Sequence, residues 1–100
     1  MPLYGILLLL FFFLPLPGFS QQQEIDQLVL GLETASEDTS KVRQLVRLGT
    51  LLGESNYGKA LYYLQEAQSL AEKLNDRKGV GDVFFARSRV YYYKDEYLIA

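Results

Sequence analysis

The chain has 100 residues, ten of them basic and twelve acidic, with 49% hydrophobic residues and neither cysteine nor histidine. That is enough for one modest domain and too apolar for a disordered tail. The near-cancelling charge gives nucleic acid no bulk attraction, and the missing residue types exclude disulfides, thiolate metal sites and the commonest catalytic base.

The first twenty residues carry no Lys, Arg, Asp or Glu. An unbroken apolar run from Ile6 to Leu14 is followed by Pro15 and Pro17, which stop any helix, and Gly18-Phe19-Ser20 offers small residues at the two positions a signal peptidase reads. The run is shorter than the twenty or so apolar residues needed to span a bilayer of about 30 Å. This pattern predicts a signal peptide over residues 1–20, cleaved after Ser20, and so a periplasmic or extracytoplasmic location. No Lys or Arg precedes the run, and an uncleaved anchor is the alternative.

After Gln21-Gln22-Gln23 the periodicity becomes helical. Ile25, Leu28, Val29 and Leu32 define one apolar face of a helix from about Gln23 to Thr34. Residues 35–40 are polar and end in Asp38, Thr39 and Ser40, all good N-cap residues, so 21–40 reads as a leading helix and linker. A second stripe, Val42, Leu45, Leu48, Gly49 and Leu52, predicts a helix ending near Gly53. Ser55 and Asn56 can cap a third, striped by Ala60, Leu64, Ala67, Ala71 and Leu74, with a break over 75–79. A fourth helix is expected over 78–93, with Val80, Val83, Phe84, Val90 and Tyr91 as its apolar content. Lys94-Asp95-Glu96 then reads as a short turn into a fifth helix that has only one turn.

Two tyrosine–alanine pairs, Tyr57 with Ala60 and Tyr97 with Ala100, recur forty residues apart. A period of that size with helical patterning inside it points to stacked helical units. From about Lys41 onward the sequence resembles tetratricopeptide repeats. Leu48, Gly49, Leu52, Ala60, Leu64 and Ala67 match the packing positions of a first unit over 41–79. Phe84, Ser88, Tyr91, Tyr97 and Ala100 match those of a second, truncated unit over 80–100. Arg87 departs from the pattern by placing a charge where leucine is usual, and the first unit lacks the aromatic residue expected near its start.

The resemblance implies an all-α fold of antiparallel helix-turn-helix repeats, the start of an α-solenoid. Asp38-Thr39-Ser40-Lys41-Val42 and the stretch from Leu70 to Gly79 are further similar to the extracytoplasmic repeats of bacterial sensor histidine kinases. On that resemblance the chain is expected to be the exported N-terminal part of a longer signalling protein. No kinase residue can be placed in it.

Catalysis finds little support. Glu37-Asp38 and Asp95-Glu96 are neighbours in sequence, whereas acid/base pairs must face each other across a substrate. Ser36, Ser40, Ser55, Ser69 and Ser88 have no histidine to activate them. No Gly-Lys-Ser/Thr follows Gly49, Gly53 or Gly58, so they form no phosphate loop, and Gly49 reads as a close-packing position. No catalytic residue, cofactor or metal ligand is therefore expected.

Protein contact fits better. In the repeat family the first helix of each unit lines a concave groove, and the matching positions are Arg43, Val46 and Thr50, then Asp82, Phe85, Arg89 and Tyr92. They mix charge with aromatic area, as a peptide groove does. The blander reading packs Phe85 and Tyr92 against a neighbouring repeat and leaves the charges solvating the helices. Tyr62-Tyr63 and Tyr91-Tyr92-Tyr93 could stack on bases, but no basic patch accompanies them. The expected partner is a protein or peptide, or neighbouring repeats of the same longer chain. A spacer or homodimerisation element is the alternative function. Nucleic acid is not expected, and membrane contact only through an uncleaved signal or a later segment.

Overall fold

The computed structural model describes residues 20–99, with side chains through residue 95. The signal-peptide expectation over 1–19, Ala100 and the Tyr97 side chain lie outside the described residues. Within that range the chain forms helices α1 (Gln21–Thr34), α2 (Thr39–Leu52), α3 (Tyr57–Lys73) and α4 (Arg77–Ile99). The fold is all-α.

Each helix starts where a short polar side chain can satisfy its free N–H groups. Ser20 accepts from the Gln23 N–H at 3.1 Å, and the Gln23 side chain accepts from the Ser20 N–H in return, a capping box for α1. Asp38 and Asn56 accept from the N–H groups of Lys41 and Lys59 at the starts of α2 and α3. Asp76 does the same for Gly79 at 3.0 Å and opens α4. The turn ahead of it holds Asn75 at φ 56°, a left-handed conformation that asparagine tolerates better than most residues.

Packing follows residue size. α2 and α3 form an antiparallel hairpin around Val42, Leu45, Leu48, Leu52, Ala60, Leu64, Ala67, Leu70 and Ala71, all buried. Its tightest point is Gly49. A Cβ built there would lie 2.6 Å from Leu64 Cγ and 3.2 Å from the Ala60 carbonyl oxygen, so only glycine lets the two helices approach this closely. Each large aliphatic side chain removed from water in this seam contributes about 1.5–3 kcal/mol.

α4 runs antiparallel to α3, with Arg87 donating to Gln68 at 2.7 Å and the Tyr57 hydroxyl reaching the Tyr93 carbonyl oxygen. It also lies beside α2. A Cβ on Gly79 would meet Val42, and one on Gly53 would meet Val90, so α2 and α4 run parallel and touch at both ends of α2. α1 rests on α2 through the half-buried Ile25, Leu28, Val29 and Leu32, and none of its residues is fully buried. An ion pair ties it there: Arg47 donates to both Glu24 oxygens, from Nε at 2.8 Å and from a second nitrogen at 3.2 Å.

The fourth helix differs from the expected one. It begins at Arg77 and continues through Lys94-Asp95-Glu96 to Ile99, with no turn and no separate fifth helix. Lys94 and Glu96 are good helix formers, and neither glycine nor proline interrupts the stretch. The real breaks carry stronger signals: extended Ala35 after α1, Gly53 after α2, and left-handed Asn75 after α3.

Candidate functional site

Taken as a helical wheel of about 100° per residue, α4 divides into distinct faces. Gly79, Val83, Ala86 and Val90 recur at four- and three-residue steps and form the buried face. Phe84, Phe85, Tyr91 and Tyr92 lie on the other side, 55%, 68%, 46% and 64% exposed, with exposed Ser88 between them. The Ser88 hydroxyl donates to the Phe84 carbonyl at 2.9 Å, so it asks nothing of a neighbour.

Within the described residues, α2 and α3 do not cover the positions expected to pack in the second unit. Phe84, Ser88 and Tyr91 were the residues matched to packing positions by the repeat pattern, yet they point away from α2 and α3. The physical reason is space. A Cβ at Gly79 would run into the Asp76 carboxyl that caps α4 and into Val42 of α2, and the residues buried along that line are glycine, alanine and valine. Ala86 is the packing residue the sequence reading missed. The clean small-residue period from Gly79 to Val90 was the available signal. In the first unit Leu48, Gly49, Leu52, Ala60, Leu64 and Ala67 are all buried.

The residues matched to a concave groove fall on two neighbouring helices. On α2, Arg43 is exposed, Val46 is half-buried against the core, and half-buried Thr50 donates its hydroxyl to the Val46 carbonyl at 2.8 Å. On α4, half-buried Asp82 aligns with exposed Phe85, Arg89 and Tyr92 at three- and four-residue steps. On the wheel this row points opposite Arg87 and Val80, the α4 side nearest α3. It therefore faces away from α3. Arg89 is not free to sweep: its guanidinium donates to the Tyr93 hydroxyl at 3.1 Å and sits 6.0 Å from the centre of that ring.

Ionisable groups are displaced from their ordinary behaviour at two surface pairs. The Arg47 hydrogen bonds hold the Glu24 carboxyl below the usual range, and Glu24 in turn raises Arg47. Lys41 lowers Glu37 through a hydrogen bond and ion pair one turn apart. Both pairs are exposed helix and interhelix contacts rather than an acid/base couple around a cavity.

Clefts also lie among the described residues. One of about 600 Å³ lies between α1 and the α2–α3 turn, over Ile25, Val29 and Leu52, with Asp26 and Lys59 on its walls. A smaller one of about 300 Å³ surrounds the α3–α4 turn at Asn75 and Arg77. Among the described residues no three acidic, histidine or cysteine side chains gather as a metal site, and no helix is long and apolar enough to cross a membrane.

Comparison with protein-family models, characterised proteins and solved structures finds no match to this chain.

Proposed function

We propose that the chain is a non-catalytic protein–protein interaction module of the tetratricopeptide-repeat type, the exported N-terminal part of a larger bacterial signalling protein such as a sensor histidine kinase. In this reading the α2–α3 hairpin is the first repeat of an α-solenoid and α4 opens the second. The single observation that carries it is the exposed aromatic side of α4, held rigidly by a packed opposite side. Exposed aromatic area on a well-anchored helix is what partner-binding surfaces use, because tyrosine and phenylalanine add contact area at small entropic cost.

The row Asp82, Phe85, Arg89 and Tyr92, with Arg43, Val46 and Thr50 on the adjacent helix, is the surface proposed to take a peptide. Arg89 would supply charge recognition and Phe85 and Tyr92 apolar anchorage. Selection of random displayed peptides against the immobilised chain tests this. Recovered peptides should lose at least about tenfold in retention against Phe85→Ala or Arg89→Glu, the loss expected for an anchor worth about 1.4 kcal/mol or more. Recovery of none, or retention indifferent to both substitutions, would overturn it.

Export rests on the apolar run before Ser20. N-terminal sequencing of exported material should return chains beginning at Gln21, and recovery of Met1 would contradict cleavage. The alternative, a spacer or dimerisation element, draws its support from the symmetry of the side chains about Ser88.

A further inference from the structure

We infer that Gln21, once it is the first residue of the exported chain, closes its own amine onto its side-chain amide and becomes pyroglutamate, and that this neutral ring steadies the first turn of α1. The inference rests on the cleavage after Ser20 proposed above and adds a modification site at the new end.

Ser20 is used twice. In the sequence it is the small residue at the cleavage junction, and in the fold it is the N-cap of α1. Its hydroxyl oxygen accepts from the Gln23 N–H at 3.1 Å, and its own N–H donates to Gln23 Oε1 at 3.1 Å. Its carbonyl accepts from the Glu24 N–H, also at 3.1 Å. Cleavage removes all of these contacts and leaves Gln21, the first helical residue, as the terminus.

An ammonium at that place opposes the helix. The N-terminal end of a helix already carries partial positive charge, so a cation in its first turn weakens it. The new amine also stands three residues before Glu24, within side-chain reach along a helix, and so competes with Arg47 for the Glu24 carboxylate. That ion pair counts for more in α1 than it would elsewhere, because α1 has no fully buried residue and rests on α2 through half-buried side chains.

Glutamine can remove this charge unaided. The neutral α-amine attacks Cδ of its own side chain, and a new C–N bond closes a lactam ring. The Cδ–Nε2 bond breaks, and the departing nitrogen takes a proton from the attacking amine and leaves as ammonia. No oxidant, reductant or metal enters. An α-amine with an ordinary pKa of about 7.7–8.0 keeps a neutral, attacking fraction at pH 7. Gln21 is exposed, so its ends are free to meet. The neighbouring glutamines have other duties: Gln22 donates to Asp26, and Gln23 belongs to the capping box. The lactam nitrogen carries no charge, and Glu24 is left to Arg47.

Tandem mass spectrometry of the chain expressed from Met1 and recovered after export reads the first residue and its mass together. The expected N-terminal peptide begins at position 21 and is lighter than its glutamine form by one ammonia. Edman degradation should stall on it until pyroglutamyl aminopeptidase removes the ring, and then start at Gln22. Gln21→Ala should keep an open amine and lose no ammonia. Amide exchange in the first turn of α1, followed in freshly exported chain and in the same material after ring closure, should slow about two- to fivefold, the range of a charge at a helix end.

A chain that begins with Gln21 and keeps its free amine after days at neutral pH would overturn this inference alone and leave the cleavage reading intact. Ammonia loss that persists in Gln21→Ala would place the chemistry elsewhere and overturn it too. Chains beginning at Ser20 or Met1 would overturn both readings. Ring closure with exchange unchanged would overturn the role assigned to the ring at α1.

Discussion

The α2–α3 seam and the outer face of α4 are both rows of apolar side chains at helical spacing, and they end in opposite environments. In the seam, large residues on one helix meet small ones on the other: Leu64 lies over Gly49, and the Ala60 backbone closes in beside it. On α4 the large and small residues share one helix and separate by face, with Gly79, Val83, Ala86 and Val90 inward and the aromatics outward. The lesson is that depth of packing here is set by how close the backbones come, and residue size answers to that distance. Where helices nearly touch, at least one of the facing residues is small: Gly49 beneath Leu64 in the seam, and Gly79 and Ala86 along the inward face of α4.

The comparison breaks most visibly at Leu64. Leu64→Ala should cost about 2–5 kcal/mol in denaturant unfolding, because the side chain is fully buried and its neighbours on α2 cannot collapse into the space. Gly49→Val should cost about 1–3 kcal/mol or more through overpacking. Gly49→Ala gains helix propensity but still meets Leu64, so pairing Gly49→Ala with Leu64→Ala should cost less than the sum of the two changes. Additive costs would mean that the two residues do not share one site.

Asp76→Ala comes next. Losing the acceptor for the Gly79 N–H should lower stability by about 1 kcal/mol, read as a shift in thermal midpoint. On the outer face, Phe84→Ala and Tyr91→Ala measured in dilute solution should cost no more than about 1 kcal/mol, since about half of each residue is left exposed. A loss above 2 kcal/mol for either would erase the distinction between the two regions.

The smallest expected effect lies at α1. Glu24 has a lowered pKa in the folded chain, so the stability it confers is present above its unfolded value and is lost as pH falls through the folded one. Amide exchange in α1, compared with that in α3, should therefore quicken selectively below about pH 4, near the ordinary carboxylate range. Arg47→Ala should abolish that selectivity. Unchanged pH dependence in the variant would show that the ion pair does not hold α1 to α2.

Much of this fold was legible in the sequence. The striped residues from Val42 to Leu52 and from Ala60 to Ala71 are buried on α2 and α3, where Leu51 and Leu70 join them, and Asp38 and Asn56 cap where capping residues were expected. Two features were not legible. Lys94-Asp95-Glu96 is polar like a turn, but it holds neither glycine nor proline, Lys94 and Glu96 favour a helix, and α4 runs on through it to Ile99. The inward face of α4 was hidden because hydrophobicity alone ranks Phe84 and Tyr91 above Gly79 and Ala86. Only the close approach of α2, which no local pattern reports, reverses that order. For the candidate surface, the sequence aligned Asp82, Phe85, Arg89 and Tyr92 correctly along one side of a helix, but it did not reveal that Arg89 is held by Tyr93.

The most direct test of the account uses the absence of native cysteine. Ser88→Cys and Ala86→Cys are nearly size-conserving changes two residues apart on α4, and each can be labelled with a thiol reagent in dilute solution. The account predicts labelling of Ser88→Cys at close to the rate of an unfolded peptide, with Ala86→Cys slower by orders of magnitude because its reaction must wait for the helix to open. The reverse order, with position 88 protected and position 86 open, would contradict the division of α4 into a packed small-residue face and a free aromatic one.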